Sequence, residues 1–208
     1  MRDRLLGLLL FLPVPAVLWL FTRMPLGPVP SLALGVLLVV THRFYARPFA
    51  LGRAGARCLW CGGEAALGPA LTAAEPLGTT EWRACGVEHH EALARVLAFA
   101  ARHARPLQVG ILGTLGAFLP GAFAAASARL GRVTTDDAVA FFRIGIAATV
   151  LPLGWLGERL GRPGAEPPRV PFPLHIQALV GTRWVLWLFR LVGLAWLALG
   201  ARYVLGRA

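Results

Sequence analysis

The chain contains no lysine. All 21 of its basic residues are arginine, set against ten acidic residues. Charge is scarce altogether, at 15% of the sequence, while 57% is hydrophobic. A typical soluble domain is about a quarter charged, so this composition excludes an ordinary water-soluble globule. The apolar residues are clustered in runs, which sets the class as a polytopic membrane protein. The all-arginine usage is read as a mark of a GC-rich genome rather than of mechanism. A formal net charge of +11 would suit nucleic acid. Here, however, the arginines flank apolar runs and read as membrane orientation, so no nucleic acid partner is expected.

Other absences narrow the function. The N-terminal run "MRDRLLGLLLFLPVPAVLWLF" is followed by no small-x-small cleavage pattern, so it is expected to stay as a first transmembrane helix. No Asp, Glu, His or Cys falls in the middle of any apolar run, and metal and proton pathways need such groups. That weighs against a pump or metal transporter, leaving arginine-lined anion passage open. No internal repeat is visible, which argues against an inverted-repeat transporter.

Five apolar runs are present: Leu5 to Phe21, Pro30 to Thr41, Pro106 to Ala128, Ala138 to Gly157 and Trp184 to Ala201. The expected fold is therefore an all-α membrane protein of about five transmembrane helices. Residues 1–45 form an N-terminal hairpin, with Phe44 and Tyr45 at the interface. Residues 46–105 form a polar insertion, and 106–208 a three-helix domain with a Pro-rich link at 159–176. Gly110, Gly113, Gly116 and Gly121 offer close-packing positions. "TTDD" before the fourth run is a helix cap. With the N-terminus inside, 14 arginines lie on the cytoplasmic side and five outside. This bias places the insertion in the cytoplasm and the C-terminus outside, in a bacterial inner membrane.

The insertion holds all three cysteines of the chain. An odd count in a reducing compartment disfavours disulfides. Cys58 and Cys61 stand at C-x-x-C spacing in "RCLWCGG", Cys85 follows in "RACGVEHHEAL", and His89 lies one helical turn beyond Cys85. The glycines after Cys61 allow a tight turn with N–H groups aimed at thiolate sulfur. Four soft or borderline ligands make a tetrahedral zinc site, with His90 as the rival fourth ligand. The layout of knuckle, irregular or hairpin middle and helix resembles a treble-clef or zinc-ribbon finger over about 33 residues; the resemblance implies a structural class and no activity. Four protein ligands point to structural rather than catalytic zinc. Metal is needed because so small a domain buries little core. Val87, Leu93, Val96, Leu97 and Ala100 make an apolar stripe that could lie on the bilayer or on the finger.

Arg143 and Arg190 fall inside apolar runs. Each either snorkels to its nearer interface, pairs with a neighbouring helix, or binds an anion or lipid headgroup. His42 and His175 read as ordinary interface residues. The function expected from all this is a non-catalytic accessory, scaffold or assembly subunit of a membrane complex. Membrane lipids and other membrane proteins would be its partners, with the finger as docking element. The alternative is a membrane enzyme or transporter handling an anionic lipid or solute through the two arginines.

Overall fold

The computed structural model describes residues 39–65, 67–76, 78–126 and 134–206, together with 33, 36 and 37. The first apolar run and half of the second lie outside them, as do Arg129 and Arg132. A π-helical turn, His42–Ala46, leads into α1, Arg47–Ala54, with Pro48 in the first turn of α1. Proline has no N–H to return to the preceding turn, and the wider π turn absorbs that lost bond. Phe44 and Tyr45 are each 67% exposed, as interfacial aromatics would be.

After the cysteine knuckle comes a hairpin, β1 Ala70–Glu75 and β2 Gly78–Arg83, antiparallel with Ala73 opposite Thr80. Each of its edges is met by another segment at one position, Arg83 on β2 and Ala74 on β1. The knuckle pairs with β2 through the N–H of Leu59 donating to the Arg83 carbonyl at 2.8 Å. The Pro-rich link pairs with β1: Ala74 N–H donates to Pro168 O, and Val170 N–H to Ala74 O, at 3.0 and 2.9 Å. The link is thus extended, as its prolines require, and it forms an isolated bridge to β1 between Arg169 and Ala74. Its start differs from the expectation, because helix persists to Leu160.

Four more helices follow: α2 Val87–Arg102, α3 Ala104–Ala126, α4 Thr135–Leu160 and, after the link, the short α5 His175–Val180. The last, α6, covers Thr182–Leu205. Leu93, Val96, Leu97 and Ala100 on α2 are buried in the core, so the stripe packs on protein rather than on bilayer; Val87 instead is 68% exposed. Thr134 and Asp137 make a reciprocal capping box at the start of α4, the arrangement that "TTDD" suggested.

Helix α4 is the central strut. Gly110 and Gly121 of α3 face Thr149 and Ala138 of α4, and Gly145 of α4 faces Thr114. These contacts step in opposite directions along the two helices, so the pair is antiparallel. On its other side Gly193 and Gly200 of α6 take Leu151 and Ile144. Small residues allow this approach. Gly113 and Gly116 face open space instead, so only half of the glycine series does the expected work.

The chain is mostly helical, as expected. Among the described residues two helices, Thr135–Leu160 and Thr182–Leu205, are long and apolar enough to cross a membrane. At 1.5 Å per residue they reach roughly 36–39 Å, against ~30 Å of hydrocarbon. The described residues do not support the five spans expected from the sequence.

Candidate metal centre

The knuckle is built by its own backbone. Cys58 N–H donates to Gly63 O, and Gly62 N–H returns to Cys58 O, both at 2.8 Å. Gly62 adopts φ +72°, a left-handed conformation that favours glycine. Gly63 N–H then points at Cys61 Sγ, 3.4 Å away. From the hairpin's far end Cys85 arrives just before α2, and His89 stands one turn into it.

Cys58, Cys61, Cys85 and His89 present their Sγ and ring-nitrogen atoms within 4.8 Å of one another. Cys61 Sγ and Cys85 Sγ are 3.8 Å apart, and Cys58 Sγ lies 3.7 Å from His89 Nδ1. A tetrahedron with metal–sulfur bonds of ~2.3 Å and a metal–nitrogen bond of ~2.0–2.1 Å has edges of roughly 3.6–3.8 Å. The Cys85 Sγ–His89 Nδ1 separation, 2.9 Å, is shorter and is a hydrogen-bond contact. The set is therefore compatible with a metal site. Of the two candidate histidines, His89 joins it and His90 does not.

The electrostatics favour a cation there. Burial works to raise the Cys58 thiol, but hydrogen bonds from the backbone of Cys61, Cys85 and Trp60 outweigh it and bring it below its ordinary value. Cys85 is pushed up to about 11, by desolvation first and then by the bonding and negative charge of Cys58 and Cys61. Three thiolates cannot crowd together unaided. A divalent cation supplies the charge that lets them coexist.

The knuckle also does something the spacing did not reveal. Its carbonyls cap the last helix. Thr182 N–H donates to Leu59 O at 2.7 Å, and Arg183 N–H to Trp60 O at 3.0 Å. These are first-turn donors that a helix leaves without internal partners. Thr182 Oγ1 adds bonds to Leu59 O and to Gln177 Oε1, each 2.9 Å. Gly181, at φ +100°, lets the chain pass: a Cβ there would stand 2.7 Å from the Cys61 carbonyl carbon. Around this junction Leu59, Trp82, Leu93 and Leu97 form one buried cluster with Leu153 of α4 and Leu186 of α6.

The two arginines of the apolar runs, Arg143 and Arg190, are not brought together. Arg190 donates from Nε to Gly154 O at 2.6 Å, and its guanidinium lies over Trp187 and Trp155, 4.9 and 5.2 Å from their ring centres. Arg143 is eleven residues before Gly154 on the same helix, about 16 Å along it. His42 and His175, 133 residues apart in sequence, meet Nε2 to Nε2 at 2.7 Å. His175 is buried, and its Nδ1 has no partner among the described residues.

Fold and site together define a mostly helical chain with two helices able to cross a membrane and a Cys3His cluster seated on their ends. No protein-family model, curated protein or solved structure matches it.

Proposed function

We propose that this chain is a non-catalytic accessory, scaffold or assembly subunit of a membrane complex, with structural zinc in its Cys3His finger. The observation that carries this reading is the closed ligand set joined to a helix cap. Four protein ligands leave no open position for chemistry, and the knuckle carbonyls hold the start of α6. Metal-linked folding energy is thereby spent on orienting a finger rigidly on the helices. The finger's outward side carries Leu67, fully exposed, and Val87, 68% exposed; these suit contact with a partner protein. Of the described helices, α4 and α6 are two spans and α3, which carries no charge after Arg105, is a third; with the two apolar runs within residues 1–45 the sequence offers about five. The protein sits in a bacterial inner membrane with the finger and N-terminus inside and the C-terminus outside.

The test compares Cys61→Ser with Arg143→Gln for co-purifying membrane proteins at equal membrane abundance. Loss of partners in the cysteine variant, with Arg143→Gln unaffected, is the expected result. Partners retained without the metal would overturn the scaffold reading.

A further inference from the structure

A cavity of about 410 Å³ opens beside the metal cluster, between α2, α4 and α6. Three arginines line it, Arg95, Arg183 and Arg190, and two carboxylates, Glu88 and Glu158. These charges do not neutralise one another. No ion pair joins any of the three arginines to Glu88 or Glu158 among the described residues; Arg95 pairs outside the cavity, with Glu91 at 3.7 Å. Arg190 uses Nε on the Gly154 carbonyl and is held by two tryptophan faces. Its orientation is therefore fixed while its remaining donors stay available.

The position of the cavity narrows its ligand. It lies where α4 ends and α6 begins, the level at which headgroups meet a helix pair crossing a bilayer. An apolar flank adjoins it: Trp187 of α6 lines the cavity and Trp155 of α4 lies against Arg190, and both are exposed, by 44 and 42%. A free anion has no use for such a flank, whereas acyl chains would lie along it. Forked guanidinium donors match phosphate oxygens, and the carboxylates accept from a donor carried next to the phosphate.

We infer that this cavity is a binding site for the headgroup of a glycerophospholipid, its phosphate held by Arg183 and Arg190 and a neighbouring hydroxyl or ammonium by Glu158. The inference rests on the membrane reading above but not on the accessory role. A bound lipid would cement the finger to the helix pair at their common seam.

The test titrates the full chain, in non-ionic detergent, with dihexanoylphosphatidylglycerol by calorimetry. Saturable one-site binding is expected, weakened at least tenfold by Arg183→Gln and by Arg190→Gln and unchanged by Arg143→Gln or Arg202→Gln. Metal content of each variant reports whether the finger is intact. Wild-type protein alone supplies two further arms. Dihexanoylglycerol, which lacks phosphate, should not compete; equal competition would overturn the phosphate assignment. Inorganic phosphate should compete only weakly; equal affinity would make this a free-anion site and overturn the lipid assignment. Unaltered affinity in both cavity variants would overturn the site itself. Lipid binding without any partner protein would leave this inference standing and count only against the accessory role.

Discussion

The two ends of the helix pair are stabilised differently. At the finger end Trp82, Leu59, Leu93 and Leu97 are fully buried in a cluster that reaches Leu153 and Leu186. At the other end the buried set is only Phe118, Ala138, Val139 and Phe142, packed against Leu115, Ile146 and Trp196. The finger end is organised by directed bonds: ligand atoms, strand pairing and carbonyl caps. The far end is organised by shape, with the Phe142 ring packed at a tilt between Phe118 and Trp196, 4.8 and 5.5 Å from their ring centres. On the membrane reading proposed above, water surrounds the finger and apolar burial stabilises it, whereas in lipid that driving force would be missing and close fit between helices would take its place. α6 shows the difference, since only 17% of its most apolar stretch is buried inside the protein, against 44% for α4.

The contrast predicts which changes hurt. Trp82→Ala should cost most, about 3–5 kcal/mol, because it empties the centre of the finger and takes the 3.0 Å donor Trp82 Nε1 away from Glu75 Oε1. Chemical unfolding followed by metal release would register it. The helix end should respond to added volume instead. Gly145→Leu drives a side chain into Thr114 and should cost about 1–3 kcal/mol, lowering the thermal midpoint while leaving bound metal unchanged. Gly113→Ala, in open space on α3, should be neutral or stabilise by up to about 1 kcal/mol. If Gly145→Leu released the metal, the two ends would not be separable.

A pH-dependent effect lies at the His42–His175 contact. Burial, then the nearby His42 and Arg47, hold His175 down at about 4, from an ordinary 6.5; burial lowers His42 as well. The folded state therefore resists a proton that the unfolded chain accepts. Stability from this buried ring is complete above pH ~6.5 and falls as the pH drops from there toward 4. Between pH 7.5 and 5 the loss should be about 1–2 kcal/mol. Thermal melts of wild type and His175→Gln over the same pH steps isolate it, because any metal loss is common to both. Equal slopes would contradict the assignment.

How much was legible follows the same division. Cys58, Cys61, Cys85 and His89 were readable because ligand chemistry fixes residue type and a helical turn fixes spacing. The choice of His89 over His90 needed the start of α2 at Val87, one residue after Gly86. Backbone partnerships were not readable. Nothing in "LVGTRW" announces that Leu59 and Trp60 carbonyls would receive its N–H groups, since a carbonyl carries no sequence signature. The same holds for the pairing of Val170 with Ala74 and the meeting of His42 with His175 across the fold. Arg143 and Arg190 looked alike in sequence, each an arginine in an apolar run. Only the packing of α4 on α6 separates them, placing Arg190 in a charged cavity and Arg143 about three turns away.

The central claim is that a closed metal site organises the finger end and through it the start of α6. Elemental analysis with X-ray absorption at the zinc edge, on the purified full-length protein, tests it most directly. The account predicts one zinc per chain with three sulfur neighbours at ~2.3 Å and one nitrogen at ~2.0–2.1 Å. A well-folded protein without zinc, or zinc without sulfur scattering, would contradict it.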